Sequence, residues 1–167
     1  IPIETFSTII AGAGTTGLAH DIVFRIRINS HDSATNRWQG IERAIITLDT
    51  DDLDGQLVSS ATFGIVIVDA TDTYTDHLVL VDSEPDSNTD ITASDYSNLG
   101  STRQADDLAV GDLTVDSDTY NNFTLNSTGL ASIITTGITR LGIRGKYDFD
   151  GSQPSWAQGK TQVTVVS

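Results

Sequence analysis

Cysteine is absent from this chain of 167 residues, and so is methionine. With no thiol there is no disulfide to staple the fold and no thiolate to hold zinc, so stability has to come from the core, from bound ions or from assembly. A domain of this length buries roughly 70% of the surface its unfolded chain exposes, so residues 1–167 read as one domain that needs no staple. Lysine is nearly absent too, with Lys146 and Lys160 the only two. The 9 basic residues face 23 acidic ones, for a net charge of −14. A protein that displaces counterions from phosphates needs a basic footprint, so this balance speaks against nucleic-acid partners and against anionic membrane surfaces. There is no run of 18 apolar residues, which excludes a helical membrane span and predicts no membrane insertion. Glutamate is confined to Glu4, Glu42 and Glu84, and every other acid is aspartate. Aspartate bonds its own backbone and disfavours helix, so it suits turns, loop tips and oxygen-rich cation sites. A chain that opens at Ile1 reads as processed or excised, with any targeting segment already removed.

What is present is mostly period-two alternation. Over residues 22–29, Ile22, Phe24, Ile26 and Ile28 alternate with Arg25, Arg27 and Asn29, the pattern of a half-buried strand. Further strands are predicted over 41–49, 60–69, 77–82, 121–125, 137–147 and 161–166, with a first one over 5–11. Gly/Asp/Ser/Thr clusters separate them at the spacing of a sandwich or barrel. Two short helices are predicted, a single turn over 94–99 and one over 128–134 with Gly137 just beyond it. No helical stretch is long enough to connect parallel strands, so the sheets should be antiparallel.

Several motifs carry chemistry in other contexts. Gly12, Gly14 and Gly17 match the dinucleotide-binding fingerprint, which works only when its last glycine opens a helix. A strand follows here, so the glycines read as a flexible turn. Asn122-Phe-Thr124 and Asn126-Ser-Thr128 both match the N-glycosylation acceptor pattern, although such triplets are common by chance in a chain this rich in Asn, Ser and Thr. His20, His31 and His77 are scattered, and no nucleophile stands in a recognisable context, so the expectation is a non-enzyme. Asp49, Asp51 and their neighbours have the composition of a calcium loop, but Ala61 stands where an EF-hand needs a bidentate glutamate. Asp148 and Asp150, followed by Gly151 and Ser152, form a tighter calcium candidate; no other cofactor is expected. Trp38 and Trp156 lie in polar contexts, where a flat indole can stack on a sugar or close the end of a core. Arg140, Arg144 and Lys146 alternate with Leu141, Ile143 and Tyr147, putting cations on one face of a strand. In so acidic a chain the default reading of this stripe is a salt-bridged lattice with nearby aspartates. The other reading, an anionic-glycan groove, adds Arg144 and Tyr147 to the two tryptophans as glycan-binding candidates.

Two segments, 43–50 (an arginine-led strand ending Leu48-Asp49) and 58–64 (Val-Ser-Ser-Ala-Thr-Phe-Gly), carry a family resemblance. With 120–126, Gly129-Leu130, 137–144, Asp148-x-Asp150 and Pro154-x-Trp156, they resemble the DNRLRE-type, carbohydrate-binding-module-like domains of secreted prokaryotic and viral structural proteins. The resemblance covers about two-thirds of the chain. It implies a jelly-roll β-sandwich serving as an accessory module with no shared active site.

The expected fold is thus an all-β, antiparallel jelly-roll sandwich with one or two short helices. The expected function is a non-catalytic structural subunit or decoration module, extracellular or on a virion surface, that associates with itself or with another subunit. The alternative is a glycan-binding domain of a larger secreted protein. The terminal segments, through Ile3, Phe6, Ile9, Val163 and Val165, are the assembly candidates, because unblunted edge strands pair with neighbours.

Overall fold

The computed structural model describes residues 3–18 and 23–167, so His20 and Ile22 lie outside the described residues. The alternating segments form β1 (Phe24–Ser30), β2 (Trp38–Glu42), β3 (Ala44–Asp49), β4 (Thr62–Thr71) and β5 (His77–Ser83). They continue as β6 (Leu99–Arg103), β7 (Leu108–Ala109), β8 (Tyr120–Thr124), β9 (Ile138–Gly145) and β10 (Thr161–Val166). One sheet runs β2-β1-β10-β4-β8 and the other β3-β9-β5-β6, with β7 also paired to β5. All of these pairings are antiparallel. Setting β2 and β7 aside, the order 1-10-4-8 over 3-9-5-6 is that of a jelly roll, with the chain shuttling between the layers. Only Arg43 separates β2 from β3, so one stretch of chain passes from the edge of one sheet to the edge of the other.

The inward positions of the two sheets make the main core, in which Ile67, Leu80, Phe123 and Ile143 are fully buried. Phe63 and Phe123 stack across β4 and β8 at 6.4 Å. Each such side chain contributes roughly 1.5–3 kcal/mol. A second cluster closes one end: Phe6, Ile28, Trp38, Ile41 and Tyr74. There the Trp38 indole meets Phe6 and Tyr74 edge to face, at 5.2 and 5.7 Å.

Residues 5–11, expected as the first strand, instead form helix α1 (Phe6–Ala11). Thr5 caps it, its hydroxyl accepting the Thr8 N–H at 3.2 Å. Phe6, Ile9 and Ile10 recur at helical spacing and lie on the Trp38 cluster. β10 is a strand as expected, but it is not an edge. It lies between β1 and β4 and is paired on both sides, so its backbone groups are not free for a neighbouring subunit.

The expected turn over 94–99 is a 3₁₀ turn at Ala93–Ser97, begun by a reciprocal capping box between Thr92 and Asp95. The expected helix over 128–134 is the shorter α2 (Ser127–Ala131), capped by Asn126. The fingerprint glycines serve close packing. A Cβ on Gly14 would sit 2.3 Å from the Ala93 carbonyl oxygen, and one on Gly17 would sit 2.3 Å from that of Ile91. The glycines let the segment after α1 lie flat against that loop, and β1 is the next described element. Among the described residues no helix is long and apolar enough to cross a membrane.

Candidate functional site

Of the two readings open for Trp38, the structure fits the closing of the core and not the sugar platform: the indole is fully buried in β2 and offers no ring face to a ligand. Of its polar sequence neighbours, Arg37 precedes the strand and is exposed, and the Gln39 amide oxygen accepts from Asn29 Nδ2 at 2.8 Å. Trp156 is partly buried against the same cluster, and its indole N–H donates to the Arg37 carbonyl at 3.1 Å. Tyr147 packs there too, its hydroxyl donating to the Tyr74 carbonyl at 3.1 Å.

Arg144 belongs to a buried ionic triad. The Asp148 carboxylate, on helix α3 (Lys146–Phe149), is wholly enclosed. It accepts one fork from Arg43 at 2.8 and 2.7 Å and a second from Arg144 at 3.0 and 3.0 Å. Arg43 also donates to the carbonyls of Tyr96 at 2.6 Å and Ile10 at 3.2 Å. Its guanidinium lies 3.7 Å over the Tyr96 ring. Burial pushes the Tyr96 phenol up to about 12, with Arg43 opposing the rise. The triad therefore ties the bend between β2 and β3 to β9, α1, α3 and the turn around Tyr96. Three charges taken out of water need this density of donors and acceptors to persist.

Of the calcium candidates, the side chains of Asp148, Asp150 and Asp49 already have partners. Asp150 pairs with Lys146 and with Arg103, and the bond from Lys146 holds its carboxyl below the usual range against the effect of burial. Asp49 accepts the Asp51 N–H at 3.1 Å, the bond of an aspartate turn, and Asp51 begins the exposed 3₁₀ turn Asp51–Leu53. Among the described residues no three His, Asp or Glu converge as a metal site. Open clefts among the described residues have polar side chains in their lining. One of about 430 Å³ is bordered by Asp82, Glu84, Asp86 and Asn98. One of about 300 Å³ is bordered by His77, Asp107, Asp112 and Asn122.

The assembly candidates divide. Phe6 is buried and Ile9 packs beside it, while Ile3 remains about half exposed. Val163 and Val165 are partly buried and point outward from the middle of the first sheet, since residues directly opposed across antiparallel strands share a face. The same rule puts Arg25, Arg27, Val66 and Tyr120 on that outer face. Tyr120 is 64% exposed, and its ring lies across Gly64, where a Cβ would come within 3.0 Å of it.

The largest apolar exposure is elsewhere. Leu57 is 96% exposed and Ile134 is 42% exposed, on two loops at one end of the sandwich. The loops are bonded to each other. The Thr50 hydroxyl donates to the Ile134 carbonyl at 2.7 Å, and the Gly55 N–H donates to that of Thr135 at 3.0 Å. Asp54 and Gly55, with φ of 47° and 74°, turn the chain into this position. Neither Leu57 nor Tyr120 stands out in the sequence. Leu57 is one apolar residue in a turn-rich stretch, and Tyr120 is made notable by a glycine on another strand. No family model, curated protein or solved structure matches this chain.

Proposed function

We propose that this chain is a non-catalytic structural or decoration module exposed on a virion or cell surface, and that it meets a neighbouring copy through the loops bearing Leu57 and Ile134. The near-complete exposure of Leu57, on a loop hydrogen-bonded to its neighbour, carries the reading. A pre-ordered apolar projection loses little conformational freedom on docking, which is what a contact point requires. A jelly roll hosts enzymes as readily as accessory modules, so the fold by itself decides nothing here. Burying a leucine contributes roughly 1.5–3 kcal/mol, about a tenfold to hundredfold change in association. The surrounding Asp49, Asp51, Asp52 and Asp54 repel their counterparts in a second copy, so association should strengthen as salt screens them.

Light scattering over a concentration series checks this. The intact chain should self-associate, and a Leu57→Asp/Ile134→Asp variant should stay monomeric with an unchanged β-sheet spectrum. An intact chain that is monomeric at every concentration and salt level overturns the assembly reading.

A glycan-binding role is the second reading, and it is favoured by Tyr120 rather than by the tryptophans. An exposed ring lying along a sheet suits the apolar face of a pyranose, although an aromatic laid over a strand glycine also stabilises the sheet itself. Retention on immobilised polysaccharide that disappears in Tyr120→Ala supports it, and equal retention of both proteins removes it.

A further inference from the structure

We propose that Asn122 carries an N-linked glycan whose first sugar covers the Tyr120 ring, and that Asn126 carries none. The inference rests on the exterior placement proposed above. It starts from two acceptor triplets four residues apart, which the fold treats differently.

The Asn126 side chain is engaged through both of its polar atoms. Its Oδ1 accepts the N–H groups of Thr128 and Gly129 at 2.9 and 3.0 Å, which caps α2, and its Nδ2 donates to the Arg103 carbonyl at 3.1 Å. A sugar on that nitrogen leaves it a single N–H, so the Arg103 contact survives only if the sugar takes the other hydrogen, and the sugar would crowd the cap. Gly129, which that cap holds, is buried, and a Cβ there would lie 2.2 Å from the Gln104 carbonyl oxygen, so the turn has no slack.

Both asparagines are exposed, but the Asn122 amide holds no helix cap, and among the described residues β8 pairs along its length only with β4. The Asn122 Oδ1 leans over Gly64, where the absent side chain leaves space. The cleft of about 300 Å³ opens beside it. Thr124 is exposed as well, and the two-residue repeat of a strand turns the Asn122 amide and the Thr124 hydroxyl to the same face. Tyr120 lies on that face, two residues before Asn122. A saccharide linked to Asn122 reaches the ring without leaving the sheet, and it would remove from water the large aromatic surface that nothing else on this face covers. It would also shield β8 from pairing with another strand.

The modification is a group transfer from a polyprenyl-phosphate-linked oligosaccharide. The bond between the anomeric carbon and the phosphate oxygen breaks, and a bond from that carbon to Asn122 Nδ2 forms. The amide releases one proton and the polyprenyl phosphate leaves.

The test expresses the whole chain behind a supplied secretion leader in an N-glycosylating host. Glycans are then released enzymatically in heavy-oxygen water, so that peptide mass spectrometry marks each occupied asparagine. Occupancy is expected at Asn122, lost in Asn122→Gln and in Thr124→Val, and kept in Asn126→Asp, which preserves a capping oxygen. Occupancy at Asn126, or a bare chain secreted beside a glycosylated control protein, overturns the assignment. The melting temperature should fall when the glycan is stripped, and fall less in Tyr120→Ala. An equal drop in both proteins overturns the placement over the ring. Because the leader is supplied, the outcome does not depend on where the chain resides natively. A glycosylated chain that never associates therefore counts against the assembly reading alone.

Discussion

Replacing Asp148 with asparagine should destabilise the protein by about 3–5 kcal/mol, read as a lower denaturant midpoint with little change in slope. The change keeps the side-chain shape and removes the negative charge shared by Arg43 and Arg144, whose side chains are 5% and 12% exposed. Two guanidinium groups would then face each other without water and without a counter-charge. Exchanging all three residues for apolar ones of similar volume should recover most of the loss, because no desolvated charge remains. A triple variant as unstable as Asp148→Asn would locate the stabilisation in the bonds from Arg43 to the Ile10 and Tyr96 carbonyls instead. An Asp148→Asn protein as stable as the parent would refute the triad's structural role altogether.

Neutral pH should be less favourable to the fold than pH 4, by an amount traceable to Asp76. This residue is 3% exposed, and burial pushes its carboxyl up to about 6 although the N–H groups of His77, Tyr147 and Lys146 and the His77 charge pull it down. Its ordinary value is 3.8, so the folded state holds the proton more tightly than the unfolded one. The associated stability is fully present below about 3.8 and is lost as pH rises through about 6. A difference of this size amounts to about 3 kcal/mol. Asp150 and Asp95 act in the opposite sense and at lower pH. For Asp95, burial works to raise the carboxyl but is outweighed by bonds from Thr92, Asp86 and Asn98. Their stabilisation is present above the ordinary carboxylate value and is lost as pH falls through their lowered folded values. Denaturant midpoints between pH 4 and pH 8 should therefore decline toward neutrality in the parent and stay nearly level in Asp76→Asn. If the variant declines as steeply as the parent, Asp76 is not the source.

The sandwich was legible because its strands alternate. β1, β4, β9 and β10 each show a two-residue repeat, and it survives folding because one face of each meets the core. α1 was misread because Thr5, Thr8, Ile9 and Ile10 are β-branched, although the spacing of Phe6, Ile9 and Ile10 and the hydroxyl at Thr5 are a helix signature. Trp38 looked like a loop residue because its neighbours Arg37 and Gln39 are polar, yet Arg37 is exposed and Gln39 bonds to Asn29 while the indole fills the closed end. Half of the triad was within reach of the sequence, since Arg144 and Asp148 lie four residues apart in the basic stripe expected to pair with nearby aspartates, but the Arg43 half was not. Arg43 and Asp148 are far apart in the sequence, and only the bend between β2 and β3 carries the arginine to the carboxylate. Chemistry that depends on strand order rather than on spacing leaves no local mark.

The central position of β10 also bears on how the molecule comes into being. β1 and β4 are made early in the sequence, yet neither has its full complement of neighbours until residues 161–166 are available to lie between them. Until then β1 pairs only with β2, and β4 only with β8 once that strand has been made. Each ribbon keeps one side open along the length where β10 will sit. Sheet closure must thus follow synthesis of the far end of the chain, and it carries the loop-closure entropy of joining distant segments. Folding should be slow for a domain of this size. A nascent or truncated chain lacking β10 would expose two apolar, unpaired strand sides to any other chain nearby.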